Sequence, residues 1–255
     1  MRITVLGKSP AWQDAGGACS GYLIEDGSTS LLLDCGSGVF AKLRARLDYT
    51  GLDAVLITHM HADHVLDLIP FASALTYSPR RQQRAPARPS LHAPPGARER
   101  LAAMCAGSSM APEHIERSFA LREYNPGEEL VVGELRVRFC PVPHFVPTNA
   151  VQVTSGSGGR FTFSADTAPS ESLVEFAAGS DLLLIEATLP SPEPEAPRGH
   201  LTAEEAGEHG RLARVGRVVL THISDELDAD GARSEAARGF GGEVEIAREG
   251  AVYEV

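Results

Sequence analysis

The chain has 255 residues, 43% of them apolar, and a formal net charge of −11. That suits an ordinary globular protein with ample core. No apolar run approaches the ~20 residues that span a bilayer, and Met1-Arg2-Ile3-Thr4-Val5-Leu6-Gly7 is too short and β-branched for a signal-peptide core, so a cytoplasmic protein with no membrane partner is expected. The acidity excludes the global basic footprint of a protein that grips long nucleic acid, so a polymer partner is disfavoured. Cys19, Cys35, Cys105 and Cys140 are scattered without a CxxC pair and read as small buried hydrophobes, not disulfides or ligands.

In chain order, Arg2–Leu6 is a β-rich run, and Gly21–Glu25 and Ser30–Asp34 predict two strands joined at Asp26-Gly27. A helix is expected over Val39–Leu47, a buried strand over Ala54–Thr58 and a packed helix over Asp67–Tyr77. Ser78–Pro89, rich in Arg, Gln and Pro, reads as a loop, followed by helices at Ala97–Cys105 and Pro112–Arg117. Strands return at Leu135–Cys140, Ala150–Thr154 and Arg160–Ser164, then a helix at Ser172–Ala178 and a strongly apolar strand at Asp181–Glu186. Pro190–Pro197 is a loop. Thr202–Leu212 is a helix with a capping box between Thr202 and Glu205. Val215–Thr221 is a strand, Asp228–Arg238 a helix, and two short strands close the chain. Strand pairs precede alternating helices in both halves, and no linker or repeat divides them. This predicts an α/β sandwich, two packed sheets with helices outside, as one domain over 1–255.

The strongest local signal is Thr58-His59-Met60-His61-Ala62-Asp63-His64, directly after the strand Ala54–Ile57. Imidazole and carboxylate are ligands that zinc accepts, about four per ion, so one motif cannot complete two sites. Further candidates follow other apolar β-runs: His144 in Pro143-His144-Phe145, Asp166 in Ser164-Ala165-Asp166-Thr167, and His222 in Leu220-Thr221-His222. The recurrence of strand then ligand is a stronger argument than any single motif. His92, His114 and His209 read as ordinary polar residues, with His209 on a solvated helix face among glutamates.

This set resembles the metallo-β-lactamase superfamily, whose hallmark is His-x-His-x-Asp-His followed by a distal His, an Asp and a last His. The resemblance implies an αββα sandwich of two mixed β-sheets flanked by helices, with metals at one edge. It implies that His59, His61 and His144 hold one zinc, that Asp63, His64 and His222 hold the other, and that Asp166 bridges them. Two such ions ~3.5–4 Å apart share one water and lower its pKa to about 7, with Asp63 serving catalysis as well as ligation. Manganese or iron suits the same ligands. Asp63 and Asp166 leave the centre positive, which favours a small anionic substrate.

Glu186-Ala187-Thr188, Gly199-His200-Leu201-Thr202 and Ser164-Ala165-Asp166-Thr167 resemble three motifs of the ribonuclease Z-like branch. That likeness implies that His200 donates a proton to the leaving oxygen or binds a phosphate oxygen, and that Glu186 orients His200. The long Gly/Pro-rich arm that clasps transfer RNA is missing. Val5-Leu6-Gly7…Gly21-Tyr22-Leu23-Ile24 and Leu33-Asp34-Cys35-Gly36-Ser37-Gly38 are more similar to short bacterial relatives, including cyclic-nucleotide phosphodiesterases of this fold, and that resemblance implies a phosphodiesterase acting on a small diester. Competing readings are a thioesterase or lactonase, a tRNA 3′-processing endoribonuclease, and a non-catalytic metal-binding domain. Members of the branch commonly form homodimers, so the resemblance implies one here. Phe145-Val146-Pro147-Thr148 departs from the His-Pro start of those relatives, which predicts a different pocket at that point.

From Leu68 to Arg98 there is no Asp or Glu, while Arg80, Arg81, Arg84, Arg88 and Arg98 fall in that stretch. Arg80, Arg81 and Arg84 are candidate substrate-binding residues on a phosphate-attracting flap. The competing reading is a solvated loop.

Overall fold

Strands buried on both faces belong between two other layers, and the first three strands show that pattern. The computed structural model describes residues 1–80, 88–193 and 197–255. In it β1 (Arg2–Gly7), β2 (Gly21–Asp26) and β3 (Thr29–Leu33) are antiparallel neighbours. Ile3, Val5, Tyr22, Ile24, Leu31 and Leu33 turn to one side, Leu23 and Leu32 to the other. The sheet then becomes parallel through β4 (Ala54–Leu56), β5 (Ser90–Ala93) and β6 (Ala120–Glu123). The last strand, β14 (Val252–Glu254), returns to pair antiparallel with β1, making seven strands in the order β14-β1-β2-β3-β4-β5-β6.

The second sheet repeats this grammar. β7 (Leu130–Val132), β8 (Leu135–Val142), β9 (Thr148–Thr154) and β10 (Arg160–Phe163) are antiparallel in succession. β11 (Leu182–Glu186), β12 (Val218–Thr221) and β13 (Val244–Ile246) continue in parallel. The inner faces meet in one cluster, where the Tyr22 and Phe163 rings lie 4.9 Å apart.

Helices cover both outer faces. α1 (Val39–Arg44), α2 (Ala62–Val65), α3 (Leu68–Tyr77), α4 (Ala97–Gly107) and α5 (His114–Ser118) lie on the first sheet, around Phe40, Phe71 and Phe119. α6 (Glu171–Ala177), α7 (Ala203–Leu212) and α8 (Ala229–Phe240) cover the second through Leu173, Ala206 and Ala236. The result is the αββα sandwich of two mixed seven-stranded sheets. No helix among the described residues is long and apolar enough to cross a membrane.

Some details differ from the sequence pattern. Regular helix in α1 stops at Arg44, short of Leu47, although Leu47 N–H still reaches the Leu43 carbonyl at 3.1 Å. β5, β6 and β7 run three or four residues each, too few to establish a period. The capping box forms at Thr202 and Glu205. The expected solvated His209 is instead buried. Its Nδ1 donates to the Glu205 carbonyl at 2.7 Å and its Nε2 accepts from Ser170 N–H at 3.0 Å, tying α7 to the start of α6. Cys19, Cys35 and Cys105 are buried and free, and burial pushes the Cys19 thiol up to about 12, which makes it inert.

Phe71 is fully buried, stacked 4.5 Å from Phe40 and edge-on to Tyr49 and Phe119. Phe71→Ala is expected to lower unfolding free energy by about 3–5 kcal/mol. Urea titration followed by circular dichroism checks it.

Candidate metal centre

The histidine and aspartate candidates converge because the strands deliver them to one edge. β4 runs on through Ile57 and Thr58 to His59, which is fully buried. The Tyr124 hydroxyl donates to the Ile57 carbonyl at 3.1 Å, and Asn149 N–H donates to the Thr58 carbonyl at 3.3 Å, so both sheets hold this strand end. His61 caps α2, which carries Asp63 and His64. Gly36 lets α2 approach β3 closely, since a Cβ there would lie 1.9 Å from the Asp63 carbonyl oxygen.

Three strand ends are left-handed at a residue other than glycine: Asp34 after β3 (φ 58°), Ala165 after β10 (φ 52°) and His222 after β12 (φ 51°). The described residues hold only two other such positions, so the strain concentrates here, at about 1–2 kcal/mol each. The turns place Asp166 and His222 in one ligand group, and Asp34 behind the His64 ring, where it accepts from Nδ1.

All seven candidate ligands come together. His59, His61, His144 and Asp166 form one group, and Asp63, His64, Asp166 and His222 form another, with the ligand atoms of each within 4.8 Å of one another. Asp166 belongs to both. Glu186, His200 and His222 make a third group.

Hydrogen bonds behind the rings determine which nitrogens face inward. His144 Nδ1 donates to the Gly199 carbonyl at 2.7 Å, leaving a lone pair on Nε2. His64 Nδ1 donates to Asp34 Oδ2 at 2.7 Å, with the same result. The Thr58 hydroxyl donates to Asp34 Oδ2 at 2.9 Å and so accepts from His59 Nδ1 at 3.1 Å. Thr188 repeats this arrangement, its hydroxyl donating to Glu186 Oε2 at 2.7 Å and accepting from His222 Nδ1 at 2.7 Å.

The inward nitrogens then face one another and the carboxylates. His61 Nδ1 lies 3.2 Å from His59 Nε2 and 3.0 Å from His144 Nε2. His222 Nε2 lies 3.1 Å from Asp63 Oδ2. His64 Nε2 and Asp166 Oδ1 are buried without a hydrogen-bond partner, 3.4 Å apart. Lone pairs gathered in a buried space repel unless a cation sits among them, so the donor set fits divalent metal ions held by nitrogen and carboxylate.

The titration behaviour agrees. Burial holds His59, His61 and His144 below the ordinary imidazole range, as neutral donors. Burial opposes ionisation of Asp166, but His222, His64 and His59 outweigh it and keep that carboxyl well below its usual range. Burial also opposes a proton on His64, yet Asp166 and Asp34 hold that imidazole well above its usual range. A metal ion and a proton therefore compete for His64.

His200 stands at the opening. Its Nδ1 donates to Glu186 Oε1 at 2.9 Å, its ring stacks 5.6 Å from His222, and it meets His144 edge-on at 5.0 Å. Glu186 is fully buried and also accepts from the backbone N–H groups of Thr167 (2.9 Å), Thr188 (3.2 Å) and Leu201 (3.3 Å). Arg80 has Asp48 Oδ1 at 3.2 Å and the Tyr49 ring as partners. Arg88 donates to the Glu116 and Phe119 carbonyls, and Arg98 pairs with Glu116. Arg81 and Arg84 fall outside the described residues. The sequence pattern did not reveal the roles of Asp34, Thr58 and Thr188, although Thr58 and Thr188 fall within the stretches Thr58–His64 and Glu186–Thr188.

A family profile described as a beta-lactamase superfamily domain matches residues 29–223. The chain belongs to that superfamily. Its relative in Bacillus subtilis (strain 168), probable metallo-hydrolase YhfI, is 30% identical over 259 residues that cover all of both chains. The crystal structure of YhfI superposes with a TM-score of 0.88 at 28% identity, covering 99% of this chain and 98% of that one. A ribonuclease Z from Haloferax volcanii is 28% identical over 306 residues, all of this chain and 95% of its own. As a member of this superfamily, the chain is a metal-dependent hydrolase.

Asp34→Asn removes an acceptor from both His64 and Thr58 and is expected to weaken metal affinity about 10–100-fold while the chain stays folded. Competition against a chromogenic chelator measures this. Asp166→Ala, which subtracts a ligand from both groups, is expected to lower bound metal at both, read by elemental analysis of the purified protein.

Proposed function

We propose that this chain is a dinuclear phosphodiesterase, most simply a zinc enzyme, acting on a small diester such as a cyclic nucleotide. The observation that carries the reading is His200, a partly exposed imidazole held by a buried glutamate and touching one candidate ligand from each metal group. Divalent ions bound by the seven ligands supply water activation and neutralise phosphate charge. Asp63 and Asp166 contribute only two negative charges to the centre, which leaves it matched to an anion.

His200 has one nitrogen tied to Glu186 and the other left for substrate. There it donates a proton to the departing oxygen or binds a phosphate oxygen. Burial alone would lower its pKa, but the hydrogen bond and charge of Glu186 hold it above the ordinary range. The acid form therefore persists to higher pH than a free imidazole allows. Glu186 also positions His222 through Thr188, so one carboxylate serves both binding and proton transfer. The ribonuclease Z relative supports a phosphodiester as the bond class, and the net charge of −11 supports a small substrate over a polymer.

Zinc- and manganese-loaded protein should hydrolyse bis-p-nitrophenyl phosphate and 3′,5′-cyclic AMP in preference to a thioester or a lactone. His200→Ala is expected to lower kcat on the diesters about 10²–10⁴-fold. Turnover of the thioester or lactone alone overturns the assignment and favours a thioesterase or lactonase. Glu186→Gln, assayed well below its melting temperature, is expected to move the alkaline limb of the pH–rate profile to lower pH, because His200 then loses its proton earlier. The substituted amide also faces several N–H donors, so a stability loss of about 1–3 kcal/mol should accompany the shift in a thermal melt.

A further inference from the structure

Resting on the phosphodiesterase reading above, we propose that Phe145 determines specificity by stacking its exposed ring face on the nucleobase of a mononucleotide substrate or product. Phe145 directly follows His144, and its ring centroid lies 5.1 Å from that of His144 and 6.0 Å from that of His200. It is nonetheless 51% exposed. Part of the ring is closely backed. Gly199 lies against the ring so closely that a Cβ there would sit 2.3 Å from Phe145 Cε2. The Gly199 carbonyl accepts from His144 Nδ1 at 2.7 Å, which ties the backing to the site. The supporting loop is anchored as well: Ala168 N–H donates to the Pro143 carbonyl at 2.8 Å, and the Thr148 hydroxyl to the Val146 carbonyl at 2.9 Å.

A single exposed apolar side chain needs no function, and Trp12, Tyr77, Val131 and Leu212 are exposed too. Phe145 differs because its ring touches both a candidate metal ligand and the candidate acid. A flat apolar face beside a phosphate-seeking centre suits a ligand with phosphate at one end and a planar π system at the other. A nucleobase meets that description, whereas the acyl chain of a thioester has no π face to offer.

The test is calorimetric titration of zinc-loaded wild type, Phe145→Ala and Phe145→Tyr with 5′-AMP and with inorganic phosphate. Phe145→Ala should weaken AMP binding about 5- to 150-fold, the range that one stacked base represents. Phosphate binding should stay unchanged, and Phe145→Tyr should retain AMP affinity. Trp12 is the sole tryptophan, so in the double variant Trp12→Phe, Phe145→Trp the fluorescence should be quenched by AMP and not by phosphate. Equal AMP affinity in wild type and Phe145→Ala overturns the stacking. Parallel loss of AMP and phosphate binding also overturns it, reducing Phe145 to a support for its histidine neighbours. Cyclic AMP turnover on the same preparations separates the two readings. Intact wild-type turnover with AMP binding insensitive to Phe145 removes only the stacking, while absence of both phosphate binding and diester turnover removes both.

Discussion

Two buried carboxylates, one at the end of each central strand pair, determine how the site is built. Asp34 holds His64 directly and His59 through the Thr58 hydroxyl. Glu186 holds His200 directly and His222 through the Thr188 hydroxyl. Each carboxylate thus orients two imidazoles, one by contact and one by a threonine relay. Acceptors placed behind the rings leave the facing nitrogens as lone pairs, and that charge distribution turns a cluster of histidines into a cation trap. Without the relays the same residue types could fold into a network of mutual hydrogen bonds with no affinity for metal.

The sheets exist to bring these relays face to face. β3 and β4 run parallel in one sheet, and β10, β11 and β12 run parallel in the other. Their carboxyl ends lie at the same edge of the sandwich, where side chains emerge without having to satisfy a further ladder residue. Left-handed backbone at Asp34, Ala165 and His222 sharpens each exit. The inter-sheet contacts, such as Tyr22 Oη to Thr221 Oγ1 at 2.6 Å, keep the two sets of strand ends in register.

Much of this was legible in the sequence, because ligands that follow apolar strands are a local pattern. The motif from His59 to His64, the later His144, Asp166 and His222, and the double run of strand pairs then helices could all be read without coordinates. Asp34 and Thr188 could not, since their importance lies in which ring they reach across the fold, nor could Thr58, whose hydroxyl is set against His59 by Asp34 at the end of another strand. The solvated reading of His209 failed for the same reason: its glutamate neighbours follow the helix, but its partner is Ser170 on another element. The short strands β5 to β7 carry too few residues to show a period and are recruited by the sheet they extend. Arg80 has partners within its own surface region, so a sequence count of arginines said little about where their charge is directed.

The division of ligands between the two sheets has a consequence for how the protein is made. The first sheet contributes His59, His61, Asp63 and His64, and the second contributes His144, Asp166 and His222. During synthesis the amino-terminal ligands leave the ribosome long before His222 does, and β1 waits for β14 as its second neighbour. The first sheet alone carries only part of each candidate group, and Glu186 and Thr188 belong to the second half of the chain. Asp166 belongs to both groups of candidate ligands and follows a strand of the second sheet, so neither group is complete until both sheets have formed.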